Sequence, residues 1–269
     1  MAVITAPART ELRESPGPSP LPVFEHRLTQ YRRVWRSSVF SSFLLPVMFL
    51  LGMGVSLGAY VDRSSALGVP YLDYIAPGLV AATALQVAMG ESTWSIMSAF
   101  SWIRIYHAMR ASPLRPNDIV GGELLFVAMR VATSAAGFLI VLAVFGVLHS
   151  WWSVALLPVS VLIGLAVSAP TLAFAATVRS DNMFAILFRF AVIPMSLFAG
   201  VFFPVEAMPL VARWLAYASP LWHGVELSRA ATLGGSPAAS PLLHVGYLAV
   251  WVVVGYLLAC WRYERKLTD

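Results

Sequence analysis

Two stretches of the chain leave little choice of environment. Ser37 to Val61 is 25 residues without a charged side chain, and Val131 to Val178 carries no acidic or basic side chain apart from His149. A helix needs about 20 apolar residues to cross roughly 30 Å of hydrocarbon. The first stretch fits one crossing and the second is too long for one. Hydrophobic residues are 59% of the chain and charged residues 12%, against roughly 45–50% and ~25% in soluble domains. A soluble fold this apolar could not cover its surface with polar groups. Disorder, a coiled coil and nucleic-acid binding are therefore excluded for most of the chain. The single cysteine, Cys260, excludes a disulfide framework and a cysteine zinc cluster.

The apolar runs predict an all-α integral membrane protein with six transmembrane helices. The first is Ser37–Val61. The second runs from near Tyr74 to near Ser98, interrupted by Glu91. The third and fourth share the 131–178 run, with His149-Ser150-Trp151-Trp152 as the turn and its tryptophans at interface depth. The fifth spans about Asn182–Phe203 and the last about Leu242–Trp261. Residues 1–22 read as a disordered, Pro-rich cytoplasmic tail without the apolar core of a signal peptide. Residues 23–36 are basic and aromatic, with Leu28, Tyr31 and Trp35 at helical spacing. They predict an interfacial amphipathic helix on an anionic leaflet. Residues 37–262 form the six-helix domain and 263–269 a short cytoplasmic tail. With the N-terminus inside, 13 of the 18 basic residues fall on the inner side and three outside, which places both termini in the cytoplasm.

Two connections are not ordinary loops. The inner one, Phe100–Glu123, has Trp102, Ile105, Tyr106 and Met109 in a 3-4 pattern, ended by Pro113 and Pro116. This predicts a short amphipathic helix, either a docking surface or a basic interfacial turn. The outer one, Pro204 to about Pro241, is too apolar for a free loop, and Pro204, Pro209 and Pro220 divide it into pieces too short to cross. It predicts a re-entrant hairpin with Glu206, His223 and Glu226 on a polar face; the alternative is a helix resting on the outer leaflet. Glu91, Glu123, Arg130 and Arg189 lie inside or at the edges of spans, where a charge needs a partner or a wet cavity. Either the four line the cytoplasmic mouth of a substrate path, or Glu91 and Arg130 form a structural pair tying helix two to helix three.

Catalytic signatures are missing. No Gly-x-x-x-x-Gly-Lys-Ser/Thr loop, His-Glu-x-x-His helix or Gly-x-Ser-x-Gly elbow occurs, and the five histidines make no metal cluster. They read as interface residues, with His223 the possible exception.

Four separated segments together resemble the type-2 ABC export permeases. Tyr71-Leu72-Asp73-Tyr74-Ile75-Ala76-Pro77-Gly78-Leu79 resembles their entry into helix two. Tyr106-His107-Ala108-Met109-Arg110-Ala111-Ser112-Pro113-Leu114-Arg115-Pro116-Asn117-Asp118-Ile119-Val120-Gly121-Gly122-Glu123 resembles their cytoplasmic connection between helices two and three. Phe198-Ala199-Gly200-Val201-Phe202-Phe203-Pro204 and Pro220-Leu221-Trp222-His223-Gly224-Val225-Glu226-Leu227 resemble the end of helix five and the outer hairpin. The similarity is greatest to the branch that exports lipo-oligosaccharide nodulation factors and to its daunorubicin-resistance relatives.

The resemblance implies a non-enzymatic permease subunit that pairs with a second copy or a paralogue. Two copies of a separate ABC ATPase, carrying ATP and Mg2+, would dock on it. It implies a coupling helix containing Arg104, Tyr106, His107, Arg110, Pro113, Arg115 and Pro116. It implies an extracellular gate containing Phe203, Pro204, Glu206, Pro220, His223, Gly224 and Glu226. The expected cargo is amphipathic or lipid-linked: a lipo-oligosaccharide, a glycolipid or a hydrophobic drug. An ATPase-independent membrane enzyme or envelope assembly factor is the alternative class.

Overall fold

A computed structural model describes residues 19–52, 68–178, 180–235 and 237–268. The predicted Pro-rich tail and the second half of the predicted first span lie mostly outside these residues. The described backbone is helical and contains no strand.

Helix α1 runs Leu21–Phe49. The basic segment and the start of the first apolar run are thus one uninterrupted helix, with no backbone break near Ser37. Helix α2 is Tyr71–Ser92; a break at Thr93, with φ −107° and ψ −94°, leads into α3, Trp94–Met97, and a π turn, Ser98–Trp102. Helix α4, Ile105–Arg110, is the inner connection. Helix α5 is Pro116–Val144. Its start is set by Pro116 at the first helical position and by Asp118, whose carboxylate accepts from the Arg115 backbone N–H at 2.9 Å. A 3-10 turn, Trp151–Ala155, then feeds α6, Leu156–Thr177.

The fifth apolar run is a 17-residue helix in three pieces: α7, Asn182–Leu187; a π segment, Phe188–Val192; and α8, Ile193–Phe198. The outer connection folds into α9, Leu210–Tyr217, and α10, Pro220–Leu233. Helix α11, Pro241–Thr268, closes the chain. By length and composition four helical stretches can cross a membrane: Tyr71–Trp102, Pro116–Val144, Trp151–Thr177 and Pro241–Thr268.

Helix α6 is the centre of the bundle, and α2, α5, α10 and α11 all pack on it. Its buried face is made of small residues, among them Ser160, Gly164, Ala166, Ser168, Ala169 and Ala173. Small side chains let backbones approach closely where lipid provides no hydrophobic drive between helices. Helix α1 lies along α5. A Cβ on Gly122 of α5 would sit 2.5 Å from the Val23 side chain and 2.7 Å from the Pro20 carbonyl oxygen, so only glycine permits this contact.

Candidate functional site

The end of the bundle that carries the predicted inner connection, called the inner end below, holds a compact ionic cluster built from four elements. Arg27 comes from α1, Glu91 from the end of α2, Tyr106 from α4, and Glu123 and Arg130 from α5. The Arg27 guanidinium lies 3.0 Å from one Glu123 oxygen and 3.4 Å from Glu91. Arg130 Nε donates to the other Glu91 oxygen at 3.0 Å. Its terminal nitrogen donates to the Tyr31 hydroxyl at 2.8 Å. The Tyr106 hydroxyl donates to Glu123 Oε1 at 2.8 Å. Two carboxylates thus face two guanidiniums, and the cluster is neutral. Glu123 is 1% exposed and Arg130 4%. Charges this deep persist only when paired and hydrogen-bonded.

Aromatic rings frame the cluster. Phe126 lies under the Arg27 guanidinium at 4.6 Å and Tyr31 under Arg130 at 4.5 Å. Phe100 stands edge-on to both Tyr106 and Tyr263 at 4.8 Å, with the Lys266 ammonium 4.6 Å above its ring. The end of α11 is thereby joined to α4. Burial, and then the Glu123 carboxylate beside it, holds the Tyr106 phenol well above its ordinary pKa, so it remains a donor.

The predicted Glu91–Arg130 pair is present, and Glu123 joins it. Arg189 does not: it is exposed on the π segment of the Asn182–Phe198 helix, called helix five below and distinct from α5. Arg27 and Tyr31 were not foreseen as members. They sit four apart on α1 and share an inward face, while Arg32, Arg33 and Arg36 remain exposed. A signal was available: two spanning-region acids with one nearby base call for a second base.

The inner connection divides by side chain. Tyr106 is buried, whereas Arg104, His107, Pro113 and Arg115 are exposed and Pro116 is half-buried. The Arg110 side chain lies outside the described residues. Arg104 has φ 54°, a left-handed conformation in which a non-glycine residue is strained; it turns the chain from the π segment into α4. Trp102 and Ile103 are 66% and 65% exposed beside it. Of the predicted apolar stripe, Tyr106 is inside, Ile105 and Met109 are half-buried, and Trp102 projects outward.

The outer connection is held differently. His223 on α10 is buried, and its Nδ1 meets Nδ1 of His244 on α11 at 2.8 Å. Its Nε2 lies 3.1 Å from the Tyr217 carbonyl, which can only accept, so Nε2 carries the hydrogen. Neutral His223 therefore accepts from His244. Burial, and then the facing imidazole, pushes the His223 pKa down to about 4. The Tyr247 ring stacks on His223 at 3.9 Å.

Glu226 pairs with Arg229 at 3.2 Å and accepts from the Ala238 N–H at 3.0 Å. Arg229 also donates to the Gly200 carbonyl at 2.7 Å and lies 4.0 Å over the Tyr74 ring. Glu206 is exposed, as is Phe203, and Pro204 is half-buried at the turn. The expected shared polar face is thus divided among three environments. Gly224 faces Ile163 of α6, where a Cβ would meet side-chain atoms at 2.3 Å. Pro220 starts α10 and is buried.

His244 was read as an interface residue and is fully buried instead. Its partner lies on another helix, which spacing along one chain does not reveal. Among the described residues no group of three or more His, Cys, Asp or Glu could hold a metal ion.

The described residues form a helical bundle with four stretches long and apolar enough to cross a membrane and a charge cluster buried between its helices. The chain belongs to the ABC-2 type transporter family, which it matches over residues 23–233. That range contains the whole ionic cluster and the outer hairpin through α10. It is 29% identical to Nodulation protein J of Rhizobium leguminosarum bv. viciae, over 99% of both chains. It is 31% identical to Nodulation protein J of Rhizobium leguminosarum bv. trifolii, over 87% of this chain and 89% of that one. The identity to Nodulation protein J of Sinorhizobium fredii is 28%, over 91% and 92%. Subunits of this family span the membrane, are not themselves catalytic, and work with ABC ATPases.

Proposed function

We propose that the chain is the permease half of an ATP-driven exporter for an amphipathic or lipid-linked substrate: a lipo-oligosaccharide, a glycolipid or a hydrophobic drug. Six helices cross the membrane, both termini are cytoplasmic, and the Pro204–Leu233 segment is a re-entrant gate on the outer side. Two copies, or one copy and a paralogue, stand on two ATPase subunits. The motor contacts the exposed side of the inner connection, at Trp102, Ile103, Arg104 and His107.

The observation that carries this reading is the Tyr106–Glu123 hydrogen bond. It joins the buried side of the inner connection to a cluster shared by α1, α2 and α5. A push on α4 is therefore transmitted to three helices as one body, because buried ion pairs resist being pulled apart. The apolar walls and scarce charges suit cargo carried by its hydrocarbon part.

The test is copurification followed by transport. The tagged chain, extracted in mild detergent, is expected to bring down an ATPase carrying a phosphate-binding loop. Trp102→Ala with His107→Ala is expected to lose that ATPase while inserting normally. Tyr106→Phe is expected to keep it bound but weaken substrate-stimulated hydrolysis in proteoliposomes. A chain that never retains an ATPase would favour the enzyme or assembly-factor class.

A further inference from the structure

Beside helix five lies a cavity of about 240 Å³ whose walls come from five elements. Met89 of α2, Val167 and Thr171 of α6, Ala191 of helix five, Pro220 of α10 and Trp251 of α11 line it. No charged side chain does. Apart from the Trp251 indole, Thr171 is the one polar side chain in the wall, and its hydroxyl already donates to the Val167 carbonyl at 2.7 Å. A cavity without polar partners stays dry; an engineered apolar cavity of about 150 Å³ in another protein takes benzene and no water.

The shape follows from the wall residues. They extend from Val167 to Phe174 on α6 and from Leu187 to Met195 on helix five. At about 1.5 Å per residue, that is roughly 10–12 Å along the two helix axes. The cavity is a slot parallel to the helices. Helix five widens to a π turn at Phe188–Val192 beside it, and Pro170, which lacks a backbone N–H, lies within α6 on the opposite wall.

The slot is continuous with the apolar surface beside it. Phe190 and Ile193, flanking the wall residues of helix five, are 78% and 51% exposed; Val250 and Val254, flanking Trp251 on α11, are 59% and 50% exposed. Helix five and α11 border the opening without extensive backbone packing between them. The slot extends this exposed apolar band inward.

We propose that the slot binds one acyl chain of a phospholipid from the surrounding bilayer, entering sideways between helix five and α11. No convergent polar groups stand in the slot to select a headgroup, as a site dedicated to one amphiphile would require. It takes the chain type that is most abundant. Met89 and Met195 let it adapt to that chain's kinks. Pro220 places the base of the outer hairpin against the occupant, so the resident chain supports α10 from below. This inference needs only that the bundle spans a bilayer, and it stands or falls separately from the export reading.

The experiment uses the full chain in nanodiscs of phosphatidylcholine and phosphatidylglycerol, with a trace of phosphatidylcholine bearing a mid-chain diazirine. After irradiation, adducts are mapped by peptide mass spectrometry. Adducts are expected on Met89, Thr171 and Trp251 as well as on open surface residues such as Ile140 and Val253. Ala191→Phe fills the slot and is expected to cut the Met89 and Thr171 adducts about tenfold, equivalent to ~1.4 kcal/mol of lost chain binding. Those on Ile140 and Val253 should not change. Ala191→Leu repeats the test with less bulk should the Phe variant misfold. Probes with choline, glycerol and ethanolamine headgroups are expected to label alike. Slot labelling that is absent, insensitive to both fillers, or confined to one headgroup would overturn the proposal. So would an Ala191→Cys variant that oxidises to a dimer in the same nanodiscs, since a second copy would then cover the mouth.

Discussion

The two ends of the bundle are fastened by different chemistry. At the inner end, four full charges and two tyrosine hydroxyls interlock across α1, α2, α4 and α5. At the outer end, α10 is fastened by two neutral imidazoles sharing one hydrogen and by Arg229, which donates to the Gly200 carbonyl. A buried ionic cluster loses heavily when one member is removed, because the survivor is left charged and alone. A neutral hydrogen bond between rings can be broken and remade at modest cost. The inner end is thus built to move as a unit, and the outer end is built so that one contact can yield.

The sharpest way to break this contrast is to remove one inner acid. Glu123→Ala leaves two guanidiniums, Arg27 and Arg130, sharing the Glu91 carboxylate, and leaves the Tyr106 hydroxyl without its acceptor. A loss of about 3–5 kcal/mol is expected, read as a large drop in thermal midpoint of the detergent-solubilised chain. Glu123→Gln keeps an acceptor for Tyr106 and should lose less. A change below about 1 kcal/mol for the alanine variant would mean that water already shares these charges.

Packing under the hairpin comes next. Gly224→Ala drives a methyl group into Ile163 and is expected to destabilise by about 1–3 kcal/mol. Ile163→Val should relieve part of that in the double variant. An additive pair would show that α10 is not seated on α6 at this point.

The outer latch should also respond to acid. The pKa of His223 is about 4 in the folded chain, against an ordinary 6.5. Between those values the unfolded chain binds a proton that the folded chain refuses, so this contribution to stability falls as pH drops from 6.5 towards 4. A second proton on His223 would also set two N–H groups against each other across the His244 contact. Glu226, Arg229, Tyr217 and Tyr247 are the other titratable groups around the latch. Melting curves at pH 7 and pH 4.5 should therefore differ less for His223→Gln than for the unaltered chain. An equal pH dependence in both would place the acid-sensitive group elsewhere.

Much of this was legible along the chain. Apolar runs located the four helical stretches that are long and apolar enough to cross a membrane, and the positions of Glu91 and Arg130 along their helices predicted their meeting. Pro113 and Pro116 bounded the inner helix. What could not be read were contacts made between helices at unrelated positions. Arg27 looked like one of several interfacial arginines until α1 turned it inward. His244 looked like a lone histidine at the start of a span until α10 brought His223 to it. Periodicity reports which face of a helix is apolar; it does not report which other helix that face meets. The slot beside helix five was equally hidden, since the sequence of Phe188–Val192 does not mark a π turn.

The smallest expected effect sharpens the outer half of the comparison. Glu206, His223 and Glu226 were grouped on one polar face, and only the latter two are tied into the bundle. Glu206 is exposed, and its backbone carbonyl, not its carboxylate, receives Arg213. Glu206→Gln keeps that carbonyl and removes only an exposed charge. It should shift the melting midpoint by no more than a surface substitution does, within about 0.5 kcal/mol. Glu226→Gln removes the Arg229 partner and weakens the acceptor for the Ala238 N–H, and should cost more. If the order were reversed, the Glu206 carboxylate would be engaged in the working outer end, and the hairpin would be held by charge as the inner end is.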